Sequence, residues 1–209
     1  MSEKALTVAF QGERGAYSEA AAVTYFGEAV QPLACSEFDA VFDAVTGGTA
    51  DRGIIPVENS LAGSIHRNYD LLLQHQLPII GEHYLRVHHC LIAHPGVKIG
   101  EIRKVISHPQ GLAQCERYLR SLGVTSEQVY DTAGSVKIIR QQGDRSVAAI
   151  ASRRAAEVYG MAILVEGVED DPANYTRFLA IAPQPVALAA GAQSSAAGAQ
   201  SSAAGAQNG

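Results

Sequence analysis

The chain has 209 residues, 47% of them hydrophobic, which is enough apolar material for one core or two small lobes. A formal net charge of -5 offers no basic footprint for nucleic acid. Cys35, Cys90 and Cys115 are too few and too widely spaced for a disulfide framework or a zinc site, and the opening "MSEKALTVAFQG" lacks a basic leader or a long apolar run, so a cytoplasmic protein with no membrane contact is expected.

Short β-rich runs alternate with segments of helical period, the pattern of an α/β fold built from parallel crossovers. "ALTVAF" (5–10) reads as a strand and "SEAAAVTYF" (18–26) as a helix. A short strand near 30–34 precedes "SEFDAVFDAV" (36–45), a helix for which Ser36 is the expected N-cap. "RGIIPVE" (52–58) is a strand and "SIHRNYDLLLQH" (64–75) a helix. The run 77–94 is too long for one ordinary strand and is expected to cross between lobes, carrying His88 and His89 with it. Strands at 104–108, 127–131 and 146–152 then alternate with helices at 110–123, 133–142 and 153–160, and "NYTRFLAIA" is a last strand that returns to the first lobe. The expected architecture is two α/β lobes with a central cleft: residues 1–84 with 164–185, and residues 85–163. Residues 186–209 repeat Ala, Gly, Gln and Ser without a large apolar side chain beyond Val186 and Leu188, which predicts a flexible tail.

Four strand-to-helix junctions combine small residues with hydroxyls or amides: "QGERGAYS", "ENSLAGS", "SHPQG" and "DTAGS". Helix N-termini carry free N–H groups and a favourable dipole, and ligands of open α/β sheets bind at the C-terminal ends of strands, so the four together suggest a site for a small anion. Ser18, Ser64 and Thr132 serve equally as helix caps, and Gly12, Gly15 and Gly63 as turn residues. Glu58 is either a general acid or a brace for the loop after it. Bracing is preferred, because an anion site is poorly served by another negative charge. His66 and His108 are expected near the cleft. In "NYTRFL" the side chains of Thr176 and Arg177 point to opposite faces if the segment is a regular strand.

Taken in order, "GERGAYSEAA", "GIIPVENSLAGSIHRNYDLLL", "ISHPQGLAQC", "DTAGS", "AAIAS" and "NYTRF" make residues 5–183 resemble the catalytic domain of the prephenate and arogenate dehydratases. The resemblance implies two lobes similar to type 2 periplasmic binding proteins, a small-molecule substrate, no metal or organic cofactor, and a homodimer or homotetramer. It implies a carbon–oxygen lyase of phenylalanine biosynthesis that removes CO2 and water from prephenate to give phenylpyruvate. Arogenate is the alternative substrate, and a non-catalytic small-anion or amino-acid binding module the alternative function. The threonine matching Thr176 is the donor to the departing hydroxide, and the arginine matching Arg177 lies near a substrate carboxylate. Both enter one cleft only if the motif begins bent. Asn59, Ser60, Ser64, Ser107 and Thr132 are candidates for holding substrate, Phe178 for packing behind Thr176, and Glu58, Gly12, Gly15 and Gly63 for shaping the surround.

Two departures bear on substrate. "FQGERG" lacks the proline that many relatives have after the first glycine, and "DTAGS" with "SIHRNYDLLL" resembles the arogenate-using branch. Relatives usually continue into a phenylalanine-binding ACT domain. The repeat after residue 188 carries no such pattern, so control by that route is not expected.

Overall fold

A computed structural model describes residues 5–185; the expected tail lies outside them. The chain runs β1 (Thr7–Gln11), α1 (Tyr17–Phe26), β2 (Gln31–Cys35), α2 (Phe38–Thr46), β3 (Arg52–Asn59), β4 (Gly63–Ser64), α3 (His66–His75) and β5 (Ile79–Arg86). There follow β6 (Cys90–Ala93), β7 (Lys104–Ser107), α4 (Pro109–Ala113), α5 (Glu116–Leu122), β8 (Thr125–Gln128), α6 (Thr132–Gln142), β9 (Val147–Ala151), α7 (Arg153–Tyr159), β10 (Ala162–Glu166) and β11 (Tyr175–Ile181).

The strands form two sheets, ordered β2-β1-β3-β11-β5 with β4 added to β3, and β10-β6-β9-β7-β8. Each lobe is built on a parallel trio, β2-β1-β3 or β9-β7-β8, as crossover helices require. The remaining long strands are antiparallel, unlike the expected parallel pattern, because they flank the two places where the chain changes lobe. The run 77–94 divides into β5 and β6 around Val87–His89, and the return runs through 167–174. These crossings lie side by side: the Val87 N–H donates to the Asn174 carbonyl at 2.8 Å, and the Gly167 N–H to the His89 carbonyl at 2.9 Å. The expected return at 164 therefore falls inside β10, which stays in the second sheet.

Each sheet has apolar side chains on both faces. Phe10, Ile54 and Phe178 pack under α1, while Ile55, Val57 and Leu179 on the other face pack against Phe42 of α2 and Leu71 of α3. Cys90 and Cys115 are buried with the apolar residues of the second lobe. Two local expectations need correction. Glu37, not Ser36, precedes α2, and neither supplies a side-chain cap. The helix expected over 110–123 breaks at Gln114–Cys115, because Asp170 of the return crossing inserts there: its N–H donates to the Gln114 carbonyl at 2.7 Å and its carboxylate accepts the Arg117 N–H.

Candidate active site

Between the lobes lies a cavity of about 230 Å3, and each of the four loops sends at least one residue to its wall: Gln11, Asn59, Gln110 with Gly111, and Thr132. Thr176 and Phe178 complete it from β11. Strand alternation decides which residues of this region belong. Thr176 pairs with Asn59 across β11 and β3, and Arg177 pairs with Glu58. Cross-strand partners share a face, so Thr176 and Asn59 enter the cavity while Arg177 and Glu58 leave by the other side. A bulge follows Arg177, but Phe178 still faces the cavity. The bent start expected for the motif does not occur. Arg177 instead pairs with Glu82, Nη2 to Oε2 at 2.7 Å, and lies 5.9 Å from the centre of the Tyr84 ring.

Asn59 determines how the Thr176 hydroxyl is used. Its Oδ1 accepts the N–H groups of Leu61 at 3.1 Å and Ala62 at 2.9 Å, and because these can only donate, the amide orientation is settled. Its Nδ2 then faces Asn174 Oδ1 at 2.8 Å, the Tyr175 carbonyl at 3.2 Å and Thr176 Oγ1 at 3.0 Å. Thr176 is an acceptor in that bond, so its own proton is free to point elsewhere, and its side chain, on a residue 8% exposed, lines the cavity. Asn59 also does the bracing that was expected of Glu58.

The other expected residues divide. Asp131 caps α6 through the Gly134 N–H, which leaves the Thr132 hydroxyl to the cavity. Ser107 is fully buried and donates to the Ile150 carbonyl at 2.7 Å, beneath Gly111, so it supports the wall from behind. Ser60 accepts the Tyr175 N–H and donates to the Ala173 carbonyl, tying the loop to the return crossing. Ser64 lies in β4 opposite Glu58, exposed and off the cavity wall. His66 and His108 are not on the wall; His108 Nδ1 caps α4 by accepting the Gln110 N–H. Gly63 turns with φ +83° in open space, and Gly12 with φ +116° beside Ala16.

Sequence reading missed a buried polar chain. Tyr17, His89 and Gln114 all line the cavity; Tyr17 Oη stands 2.9 Å from His89 Nδ1, and His89 Nε2 stands 2.8 Å from Gln114 Oε1. Burial pushes the His89 pKa below 6.5, although the Gln114 bond opposes it, so the ring is neutral at pH 7. Burial also raises Tyr17 well above 10, which keeps its hydroxyl protonated. The signal available in sequence was weak: a histidine inside an apolar β run. Among the described residues the wall has no Asp, Glu, Lys or Arg, and no three metal-ligating side chains converge anywhere. Anionic groups here would meet hydroxyls, amides and the first-turn N–H groups of α1 and α6.

Charge lies beside the cavity, where the lobes meet. Glu19 is fully buried and receives Arg14 Nε at 3.0 Å, the Gly15 N–H at 2.6 Å and Arg154 Nη2 of the second lobe at 3.1 Å. Burial alone would raise its pKa, but the Arg14 and Gly15 bonds and Arg154 outweigh that and hold it below 4.5. A carboxylate lowered in the folded state stabilises above its unfolded pKa, and the contribution is lost as pH falls through the folded value. Wild type is thus expected to exceed Glu19→Gln by about 2 kcal/mol at pH 7, less than the 3–5 of a fully buried pair because both guanidiniums reach water. That gap should close below pH 4.5. Urea unfolding of both proteins at neutral and acid pH checks it; a gap independent of pH would remove the ion pair as its cause.

The fold and the cavity define a two-lobed α/β domain with an interlobe cavity lined by neutral hydrogen-bonding groups. The prephenate dehydratase family model matches residues 8–186, and the chain belongs to that family. It is 55% identical over 183 residues to arogenate dehydratase 3, chloroplastic, of Arabidopsis thaliana, and 52% identical over 188 residues to arogenate dehydratase 1 of Petunia hybrida. These matches cover 87% and 89% of this chain but 43% and 44% of the relatives, so the chain spans less than half their length. Among solved structures it is similar to GqqA, described as a novel type of quorum quenching acylases (37% identity, TM-score 0.81, 88% of this chain and 66% of that one). It is also similar to prephenate dehydratase from Arthrobacter aurescens in complex with L-Phe (28% identity, TM-score 0.78, 88% and 62%).

Proposed function

We propose that this chain catalyses the decarboxylating dehydration of prephenate to phenylpyruvate, a carbon–oxygen lyase step of phenylalanine biosynthesis. The observation that carries it is Thr176, whose oxygen is held by Asn59 and whose proton is free in an uncharged cavity. In this reaction the bond from the ring to its carboxylate breaks and CO2 leaves. The electron pair moves through the ring and the C–O bond to the para hydroxyl breaks, that oxygen taking a proton to leave as water. The ring becomes aromatic. Thr176 donates to the departing oxygen as charge builds on it. Loss of a carboxylate charge is favoured in a cavity with apolar wall and no fixed cation among the described residues, and Phe178 supplies apolar wall beside Thr176. Thr132 and the N–H groups of α1 and α6 are the proposed holders of the carboxylates. Arg177, outside the cavity, takes no part.

A second reading, arogenate as substrate, is supported by the names of the relatives, several of which are called arogenate dehydratase or both. Against its being preferred, the ammonium of arogenate would find no carboxylate on the wall among the described residues. The acylase likeness favours no acyl transfer, because both ring nitrogens of His89 are engaged by Tyr17 and Gln114 and none by a serine. No described helix is long and apolar enough to cross a membrane. A cytoplasmic setting and self-association complete the proposal.

The test is incubation of the purified chain with prephenate or arogenate at neutral pH, reading phenylpyruvate by its absorbance in alkali and phenylalanine by chromatography. Phenylpyruvate formation supports the first reading and phenylalanine the second. Saturable binding with neither product would make the domain a binding module. In the same assay Arg177→Lys is expected to stay within about threefold of wild type in kcat/KM, the scale of a surface substitution. A loss beyond tenfold would place the guanidinium at the substrate after all.

A further inference from the structure

We propose that His89 takes up a proton when an anionic substrate enters the cavity, and that the imidazolium so formed is the positive charge that holds a substrate carboxylate. The inference rests on the proposed function only in needing an anionic ligand. Prephenate carries two carboxylates, and among the described residues the wall offers them no Lys or Arg. His89 is the one side chain of that wall able to become a cation. A carboxylate brought beside a neutral imidazole favours its charged form, so binding of the anion and binding of the proton assist each other.

The surroundings of the ring suit both protonation states. His89 is 2% exposed. In the neutral ring Nε2–H donates to Gln114 Oε1 at 2.8 Å, which leaves Nδ1 to accept the Tyr17 hydroxyl at 2.9 Å. The same hydroxyl lies 3.0 Å from the His88 carbonyl oxygen, which can only accept. A proton added at Nδ1 therefore requires no heavy atom to move: Nδ1–H donates to the Tyr17 oxygen, and the Tyr17 proton turns to the His88 carbonyl. The Nε2–H bond to Gln114 is kept throughout. A histidine buried only for structure needs one such arrangement, whereas here one hydroxyl has two acceptors, one for each state. Tyr17 keeps its own proton in both, since burial holds its pKa well above 10.

The charges around the ring nearly balance. On the return crossing the buried Glu169 carboxylate accepts the His89 N–H at 2.9 Å and favours a positive ring, while its partners Arg86 at 3.2 Å and His88 at 3.0 Å offset part of that. Asp170, next along, is paired with Arg117. Cys90 of β6 and Cys115 beside Gln114 are thiols whose pKa burial raises, the first to about 11, so both stay neutral. Burial of the ring outweighs the rest and keeps His89 below 6.5 in the free protein. A group whose pKa rises on binding favours the ligand at low pH, and affinity falls as pH climbs from the free value towards the bound one, by at most about tenfold per pH unit for one proton.

Calorimetric titration of the 209-residue chain with phenylpyruvate, which keeps one of the two carboxylates, counts the protons when it is run near pH 7.5 in buffers of different ionisation enthalpy. Uptake of about half a proton or more per phenylpyruvate is expected, with affinity weakening about tenfold from about pH 6.5 to 8.5. His89→Gln keeps a donor for Gln114 but has no site for the proton, so uptake and pH dependence should vanish and binding at pH 7 should weaken by about tenfold. Tyr17→Phe keeps the imidazole and removes the acceptor for its Nδ1–H, and should lower the uptake. His88→Gln should retain it. Circular dichroism separates these effects from loss of fold. No saturable binding would sink the anionic ligand and with it both this inference and the proposed function. Saturable binding without proton uptake, or uptake unchanged in folded His89→Gln, overturns the role of His89 alone.

Discussion

Thr176→Val is expected to lower kcat by at least about a hundredfold while KM changes little, because the lost group acts on the breaking bond and not on the bound substrate. The substitution keeps shape and removes only the hydroxyl. Asn59 Nδ2 retains the Asn174 oxygen and the Tyr175 carbonyl, so the loop should stay in place. Thr176→Ser, which keeps the donor, should fall between. Asn59→Asp makes a sharper demand on the geometry. A carboxylate at 59 has no N–H to offer, so the Thr176 hydroxyl turns and donates to it, withdrawing its proton from the cavity. Its effect on kcat should approach that of Thr176→Val although size is unchanged and Thr176 is still present. Steady-state kinetics on folded variants decide; a Val variant within threefold of wild type would exclude Thr176 from the chemistry.

Gly15→Ala is the second large effect expected, on the meeting of the lobes. Gly15 has φ +88°, and a Cβ there would lie 2.5 Å from the Ala155 Cα of α7, too close for any rotamer to relieve. The Gly15 carbonyl also accepts the Ser152 hydroxyl at 2.6 Å. Left-handed strain of about 1–2 kcal/mol adds to a backbone clash of about 1–3 kcal/mol, so a loss of about 2–5 kcal/mol is expected. The comparison is Gly63→Ala, with φ +83° and nothing within 4 Å, which carries the strain alone. Urea unfolding of the two variants isolates the contact between the lobes, and equal losses would show that the approach of Gly15 to α7 contributes nothing.

Much of the fold was legible because it rests on local pattern. Period-2 and period-3.6 apolar runs placed most strands and helices, though they missed β4 and β10 and set β8 at 127–131 instead of Thr125–Gln128, and the small polar loops between them marked the ends of strands where Asn59, Gly111 and Thr132 reach the cavity. The order of the motifs carried the family. Alternation placed Thr176 and Arg177 on opposite faces of a regular strand, although the resemblance asked for both at one site through a bent start. Sequence alone could not say which way was inward, since that depends on the second lobe closing over the α1 side of the sheet. The same limit explains the hydroxyls: Ser107 and Thr132 look alike in sequence, but a carbonyl of β9, 43 residues away, takes the first, while Asp131 releases the second. His89 was unreadable for that reason too, its partners lying 72 and 25 residues away on different lobes. Apolar periodicity is set by each segment's own neighbours, whereas a buried polar side chain is defined by whichever distant group satisfies it, and only the packed tertiary structure brings that group within hydrogen-bond reach.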